Sequence, residues 1–272
     1  MATTPIVRVA DLPDFSWNDI SYSQPRELAS GGKMIYVNFN RQPLIVHTPK
    51  MSSSFGVSDY DNDKKFHLDL TFKGLDGNEE LKQFKSFLER FDSKLINDGF
   101  NNSTAWFKTA YKSKDVVDAL FTKTIKGNNE KYAQYFKIKT PYSTEGFQIP
   151  VFDQNKNKIS IDTPEERAAL KGSTITAIIQ CTGIWIVDKR FGCNWKVLQM
   201  KVSTANRSKI PDYAFGDDDD RKSDSEIDDG SDNEKPDAED EEDIVSSSED
   251  ELEAKPMSTP VKRTTVTKKK WI

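Results

Sequence analysis

Basic and aromatic residues alternate along several stretches of the sequence, and this pairing is its most informative chemical pattern. In the clearest stretch, Trp185 is followed by Lys189 and Arg190, and then by Trp195 and Lys196. Cations track phosphates and flat rings stack on bases, so such residues bind single-stranded nucleic acid with little sequence preference, at about 1–3 kcal/mol per stacked base. The candidate binding residues are Lys65, Tyr135, Lys137, Lys139, Trp185, Lys189, Arg190, Trp195 and Lys196.

The same aromatic residues could instead form a hydrophobic core, because large rings dominate protein interiors. We expect this of Phe66, Phe136 and Phe191. Trp185 and Trp195 lie in predicted strands, where each side chain could face inward or outward, and the sequence leaves both orientations open.

The sequence holds no pattern typical of an active site or a cofactor site. It lacks a GxxxxGK[ST] loop, a GxGxxG segment after a strand, and a GxSxG elbow. Two histidines, His47 and His67, and two cysteines, Cys181 and Cys193, form no set of three or four ligands of the kind that zinc sites use, and we expect both thiols to stay reduced. We therefore expect a protein that is not an enzyme and that uses neither a metal nor a cofactor.

Charge is distributed unevenly along the chain. Residues 1–216 carry 24 acidic and 30 basic residues, a net charge of +6. Residues 217–253 carry 20 acidic and three basic residues, a net charge of -17, and residues 254–272 carry six basic residues and no acidic one. The acidic block could compete with nucleic acid for a basic groove or contact partner proteins, and a purely solubilising tail is the alternative.

Composition divides the chain into three segments. These are an N-terminal extension (residues 1–30), one folded domain (31–210) and a tail (211–272) with too few apolar residues to fold. An aromatic residue beside the C-terminus argues against a purely solubilising tail. The candidate partner-binding residues of the tail are Asp240, Glu241, Glu242, Asp243 and Trp271.

No apolar run approaches the roughly 18–20 residues that a membrane-spanning helix needs. The first residues also lack the basic and then apolar pattern of a secretory signal. We therefore expect no membrane contact and an intracellular location, with the nucleus and the cytoplasm both open.

Hydrophobic periodicity predicts a mainly β domain of the α+β class. In residues 65–72 every second residue is apolar, which predicts a half-buried strand. Apolar residues recur every three or four positions from Asn78 to Asn97, which predicts a helix with Asp76 and Glu79 as its capping box and Gly99 at its end. Further strands are predicted at 33–40 and 43–49 as a hairpin, at 132–139 and 146–153, and at 173–187 and 194–203 around a basic turn containing Gly192, with short helices starting at Ser113 and Pro164.

About five strands with short connections and helices beside them favour a small closed barrel, for which the OB-fold is the commonest compact solution. We predict an OB-fold-like barrel with an inserted amphipathic helix and a disordered acidic C-terminal tail.

The segments "QIPVFDQNKNKISI" and "LKGSTITAIIQCTGIWIVDKRFGCNWKVLQMKV" resemble the OB-fold of single-stranded-DNA-binding proteins of the short-tailed-phage type and their relatives in nucleocytoplasmic large DNA viruses. "KKFHLDLTFKG" and the helix from Asn78 are similar to that family's early strand and inserted helix. "GGKMIYVNFNRQPLIVHTPKM" is similar to the opening of the large-virus members. The resemblance covers most of residues 33–202.

The resemblance implies a homodimer that holds single-stranded DNA across the barrel. It also implies contacts between the acidic tail and the viral DNA polymerase and helicase-primase. Trp185 matches a family aromatic residue suited to base stacking, and Lys189 and Arg190 match the turn beside it. The chain departs from the phage pattern at its end, where "KRTTVTKKKWI" follows the acidic block.

These observations lead to one main hypothesis and one alternative. The main hypothesis is sequence-nonspecific binding of single-stranded DNA in viral DNA replication, recombination or repair. The alternative is an acidic-tailed virion or chaperone-like protein-interaction factor without nucleic-acid binding. RNA binding by the same surface is not separable from DNA binding, because stacking surfaces accept either sugar.

Overall fold

The computed structural model of the chain describes residues 5–29, 31–59, 64–127 and 133–203. The tail predicted from residue 211 onward lies outside these residues. So do its candidate partner-binding residues Asp240, Glu241, Glu242, Asp243 and Trp271.

The described residues form short strands, two long strands and a few helices. The strands are β1 (Ile6–Val7), β2 (Ile20–Tyr22), β3 (Arg26–Glu27), β4 (Lys33–Ile35), β5 (Val37–Phe39), β6 (Gln42–Pro43), β7 (Ile45–His47), β8 (Met51–Ser53), β9 (Val57–Ser58), β10 (His67–Thr71), β11 (Phe121–Thr122), β12 (Ile125–Lys126), β13 (Tyr135–Lys139), β14 (Tyr142–Ser143), β15 (Gly146–Phe147), β16 (Val151–Phe152), β17 (Lys158–Ile159), β18 (Ser173–Val187) and β19 (Arg190–Ser203). The α-helices are α1 (Glu79–Asn101), α2 (Ser103–Phe107), α3 (Lys114–Ala119) and α4 (Pro164–Ala168), and single 3-10 turns lie at Val9–Asp11, Trp17–Asp19 and Leu75–Gly77.

Five of these strands close into a barrel. β8 pairs with β10, β10 with β13, and β13 with β19. β19 pairs with β18, and β18 closes the ring by pairing with β8. Only the β13–β19 pair is parallel, so the ring order along the chain is 1-2-3-5-4-1. The prediction of a mainly β, OB-fold-like barrel is confirmed.

The N-terminal segment packs onto this barrel. β1 pairs with β7, β2 with β5, and β3 with β4. Val7, Leu12 and Phe15 are buried and join the same core as the barrel residues. The segment predicted as an N-terminal extension therefore contributes both strands and core to the folded unit.

The predicted amphipathic helix is present as α1, inserted between the second and third barrel strands. Its apolar face packs on the barrel interior, with Phe84 against Phe136 at 6.0 Å between ring centroids. Two details of the prediction are wrong. The Asn78 side chain caps the helix by accepting from the backbone N–H of Leu81 at 3.0 Å, and the helix continues past Gly99 to Asn101. No helix within the described residues is long and apolar enough to cross a membrane.

Both predicted hairpins form, with turns that differ from the prediction. In the first, β5 pairs with β6 across Asn40 and Arg41, whose φ angles are 51° and 63°. In the second, the two residues Asp188 and Lys189, with φ angles of 47° and 72°, join β18 to β19. Two consecutive residues with positive φ form the type I′ turn that fits the twist of a hairpin. The long hairpin is therefore continuous to its tip, and Gly192 lies inside β19 instead of in the turn.

Asp92 is a buried carboxylate on α1 that ties the helix to the segment between β11 and β12. The Thr124 backbone N–H donates to its Oδ2 at 2.8 Å, and the Thr124 hydroxyl donates to its Oδ1 at 2.5 Å. Burial raises the pKa of Asp92 to about 6, although both hydrogen bonds act in the opposite direction.

The stability of Asp92→Asn relative to the natural protein is expected to increase between about pH 4 and pH 6. Because the pKa of Asp92 rises from 3.8 to about 6 on folding, the folded chain holds a proton in this range that the unfolded chain has lost. The contribution of Asp92 to stability is therefore fully present below the unfolded pKa and is lost as pH rises through the folded pKa. A shift of roughly two pKa units corresponds to at most about 3 kcal/mol.

Urea unfolding of both proteins at several pH values measures this difference in free energy. Asp118→Asn, which changes an exposed aspartate, is the matched control and is expected to show no such trend. A free-energy difference between Asp92→Asn and the natural protein that stays constant with pH would contradict the prediction.

Candidate nucleic-acid interface

A row of polar side chains crosses the outer surface of the barrel. His67 on β10 lies directly opposite Lys139 on β13, and Lys139 is the register partner of Lys196 on β19. The neighbouring residues Leu68 and Ile138 are buried in the barrel, so the row faces outward. Adjacent strands are about 4.8 Å apart. Lys139 and Lys196 therefore place two positive charges side by side on one surface.

Further predicted site residues lie on the same surface. On β13, Lys137 lies opposite Asp69 and Tyr135 lies opposite Thr71, and both predicted residues are half-buried. Lys65 is half-buried and precedes β10 by two positions. Asp69 and Thr71, the strand partners of Lys137 and Tyr135, are themselves buried.

Trp185 faces outward near the tip of the long hairpin. It is half-buried, and its register partner is Gly192. A Cβ atom at Gly192 would lie 2.8 Å from Cζ2 and 3.1 Å from Nε1 of Trp185, so the indole lies against the bare backbone of the glycine. Within the described residues the indole makes no hydrogen bond and no contact with another aromatic ring. One side of the ring is therefore supported by the sheet, and the ring is not committed to the core.

The hairpin tip beside Trp185 is basic. Lys189 lies in the two-residue turn and Arg190 is the first residue of β19, opposite Val187. Both basic residues are exposed. The tip therefore presents two cations next to the indole, at the loop between the fourth and fifth strands, which is one of the two loops that OB-folds use to bind oligonucleotides.

Trp195 does not belong to this surface. The side chain is only 2% exposed, and its ring lies 5.5 Å from Phe91 and 6.0 Å from Phe136, measured between centroids. Opposite it lies Cys181, which is also buried. The prediction that Trp195 contacts nucleic acid is therefore wrong, because its face of β19 points into the barrel.

The expected core residues Phe66, Phe136 and Phe191 are buried, as predicted. The two cysteines are free, and their Sγ atoms lie 3.1 Å apart. Burial raises the pKa of the Cys193 thiol. Among the described residues, no group of three His, Cys, Asp or Glu side chains is placed to hold a metal ion.

One candidate residue was missed by the sequence analysis. Phe55 is 55% exposed and lies between β8 and β9, in the connection between the first and second barrel strands. This connection is the other oligonucleotide-binding loop of OB-folds. Downstream of Phe55, Ser58 on β9 pairs with His67, so the strand following the loop adjoins the polar row. In the sequence, the one feature that could have identified Phe55 is its position between a serine and a glycine, outside any predicted strand, where an aromatic side chain is not needed for the core.

Solved structures with a similar chain path include two single-stranded DNA-binding proteins of bacteriophages. The protein of bacteriophage Enc34, as a C-terminal truncation, is 10% identical, with a TM-score of 0.39 over 68% of this chain and 96% of that chain. In complex with single-stranded DNA it gives a TM-score of 0.37 and 10% identity over 67% of this chain and 95% of that chain. The protein gp2.5 of bacteriophage T7 gives a TM-score of 0.38 and 11% identity over 68% of this chain and 98% of that chain. A likeness at this level assigns neither a ligand nor an activity.

A viral relative is found at the level of sequence. An uncharacterized protein of Acanthamoeba polyphaga mimivirus is 27% identical over 168 residues, which is 59% of this chain and 26% of the relative. The chain thus spans about a quarter of the length of that relative. The profile of a family of unknown function, DUF5871, matches residues 72–217, which cover the barrel from the end of β10 to the end of β19. Since this match spans more than half of the chain, the protein belongs to the DUF5871 family.

Proposed function

We propose that the chain binds single-stranded DNA without sequence preference across the outer surface of its barrel. The observation that carries this proposal is the combination of adjacent cations, Lys139 and Lys196, with an outward indole, Trp185, that has no partner ring. A place in viral DNA replication, recombination or repair is part of the proposal, and the uncharacterized mimivirus relative supports the viral setting alone. In this role the protein is a coating protein and not an enzyme.

The arrangement of side chains explains why the binding tolerates any sequence. Lysine ammonium groups on β13 and β19 are point charges suited to phosphates, and they do not read base edges. Trp185 offers a flat face to whichever base reaches it, because every base has a π-face. In a duplex the base faces are covered by stacking, so this surface favours a single strand.

Replacing both Lys139 and Lys196 with glutamine is expected to lower the salt dependence of binding. Each lost phosphate contact reduces the slope of log affinity against log salt by about 0.7 for a single strand, so the double variant is expected to lose about 1.4. Fluorescence anisotropy of a labelled oligo(dT) in a salt series measures the slope. Lys112→Gln with Lys114→Gln removes the same charge from exposed positions outside the strands of the interface and should leave the slope unchanged. Equal slopes in the two double variants would exclude Lys139 and Lys196 as phosphate contacts.

The same titration with the natural protein tests the proposed function itself. We expect tight, salt-sensitive binding of oligo(dT), with weak competition from duplex DNA. Oligo(U) as a second competitor separates DNA binding from RNA binding, since the two share stacking and phosphate contacts. No binding of any single strand would overturn the proposal.

Deletion of the acidic tail gives a further test of the proposed function. We propose that residues 217–253 compete with DNA for the basic surface, so deleting residues 217–272 should preserve or strengthen binding. If the chain is instead an acidic-tailed virion or chaperone-like factor, the deletion abolishes partner binding and the barrel variants have little effect. The tail residues Asp240, Glu241, Glu242, Asp243 and Trp271 are the proposed contacts for the viral DNA polymerase and helicase-primase.

Homodimer formation is also part of the proposal and rests on the family resemblance of the sequence. Light scattering coupled to size-exclusion chromatography measures the mass in solution. A monomeric mass at working concentrations would remove the dimer from the proposal without affecting DNA binding by the barrel.

A further inference from the structure

The outward face of the long hairpin continues well past the residues of the proposed interface. Beyond Gln180 and Lys196, the outward register pairs are Ile178 with Gln199, Thr176 with Lys201, and Thr174 with Ser203. Strands of this length, at about 3.4 Å per residue, run for roughly 45 Å. The root of the hairpin is thus joined to Trp185 at the tip by one continuous surface.

A groove of about 840 Å³ lies over the root of this hairpin. Its floor is formed by β18 and β19, with Ala177 and Met200 buried beneath it. One wall comes from the N-terminal segment and the residues around the end of β7, and the other comes from Phe152, Gln154 and Lys156. The residues that line the groove are therefore far apart in the sequence and are brought together only by the fold.

The groove is strongly basic. Its lining contains four basic side chains, Arg8, Lys50, Lys156 and Lys201, and one carboxylate, Glu80, which gives the lining a net charge of +3; Asp153, between the lining residues Phe152 and Gln154, adds a carboxylate beside it. His47 also lines it, and burial, with a smaller contribution from Arg8, lowers the pKa of its imidazole. Because the pKa of His47 is lowered, the positive charge of the lining at neutral pH resides on the four lysine and arginine side chains.

The uncharged lining residues are suited to a phosphate and sugar chain. Hydroxyl and amide groups come from Thr174, Thr176, Gln154, Gln199 and Ser203, and they can donate to phosphate oxygens. Phe152 is the single aromatic residue that the structure places in the lining. The groove therefore provides charge and hydrogen-bond donors, whereas base stacking is concentrated at Trp185.

We propose that this groove binds the phosphodiester backbone of the same single strand whose bases stack at the hairpin tip. The inference rests on the proposed function and extends it, because it gives the strand a path along the whole hairpin. The outer surface of the five-stranded ring and the root groove then act as one site. The length of this path falls within the range of about 4–16 nucleotides that single OB barrels cover.

Substitution of Lys156 and Lys201 with glutamine tests the proposal in the full-length chain. Both side chains are exposed on the groove and lie outside the core, so folding is expected to be unaffected. Binding is measured with an oligo(dT) of about 4 nucleotides, which is too short to run from Trp185 to Lys201, and with one of about 30 nucleotides, which can reach the groove. For the long oligonucleotide the double variant is expected to lose about 1.4 from the salt slope, at about 0.7 per phosphate contact. For the short one the slope is expected to stay unchanged.

The outcomes separate this inference from the proposed function. If the natural protein binds the long oligonucleotide and the double variant keeps the full salt slope, the groove is not a backbone site and the proposed function stands. If short and long oligonucleotides lose slope equally, the division between tip and groove is wrong. If the natural protein binds neither, both proposals fail. Lys112→Gln with Lys114→Gln is the control for a change of charge outside the groove, and it should match the natural protein with both oligonucleotides.

Discussion

Replacing Trp195 with alanine is expected to lower the free energy of unfolding by about 3–5 kcal/mol, the usual cost of emptying a large aromatic site in a core. Trp195 is the largest of the fully buried side chains described in the barrel. Its ring joins the helix to the sheet, since it contacts Phe91 on α1 and Phe136 on β13. Loss of the ring leaves a cavity between α1, β13 and β19, and the closely packed strands cannot collapse to fill it.

Trp195→Phe is the matched variant and is expected to cost much less. The indole Nε1 of Trp195 is buried and has no hydrogen-bond acceptor among the described residues. A phenyl ring removes this unsatisfied donor, whose burial costs about 1–3 kcal/mol, and this gain offsets part of the lost packing. Chemical unfolding followed by far-UV circular dichroism measures the free energy of unfolding of the natural protein and of both Trp195 variants. A loss below about 1 kcal/mol in Trp195→Ala would contradict the placement of this ring in the core.

The strands and the main helix could be predicted because the apolar residues of each element recur at one regular spacing. The alternation of apolar residues at 65–72 predicted β10, and Leu68 and Leu70 are buried in the barrel as expected; burial itself does not alternate, because Asp69 and Thr71 on the other face are also buried. The three-to-four spacing of α1 likewise matches its buried face. These patterns arise because the apolar side chains of each element face the same hydrophobic core. They can be recognised within one segment of the sequence, without knowing which strands lie beside it.

The orientation of the two hairpin tryptophans could not be predicted in this way. Strict alternation in β18 would place Trp185 on the same face as Cys181, which is the buried face. A register shift between Cys181 and Gly183 adds one residue and turns Trp185 outward. Gly183 has a φ angle of 136°, and a Cβ there would lie 2.6 Å from the carbonyl oxygen of Ile35. Gly183 was therefore the one residue in the sequence that indicated the outward orientation of Trp185. Its role follows from its close approach to β4, a strand that is far away in the sequence.

Gly99 shows the same dependence on distant contacts. Its position after the periodic residues of α1 is typical of a helix end, yet the helix continues through it. A Cβ at Gly99 would lie 3.3 Å from the ring of Phe191 and 3.4 Å from that of Trp106. The absence of a side chain at Gly99 allows the helix to approach Phe191 near the tip of the long hairpin closely. This packing explains the glycine, which does not end the helix.

Replacing Trp185 with alanine is expected to weaken the binding of oligo(dT) by about 5- to 150-fold, which corresponds to 1–3 kcal/mol for one stacked base. Stability should fall less than in Trp195→Ala, because the ring is only half-buried, although it packs beside its strand partners Gly192 and Met34. Fluorescence anisotropy measures affinity, and chemical unfolding confirms that the variant is folded. Trp185→Phe keeps a stacking face and is expected to retain most of the affinity.

Gly192→Ala tests whether the position of the indole matters as well as its presence. The added methyl group would lie 2.8 Å from Cζ2 of Trp185, closer than van der Waals contact permits, so the ring must move off the sheet. A ring without this support loses part of its fixed orientation, and binding then costs additional side-chain entropy. We expect an affinity between those of the natural protein and Trp185→Ala. Unchanged affinity in a folded Trp185→Ala variant would remove stacking at the hairpin tip from the interface and leave the lysines of β13 and β19 as its basis.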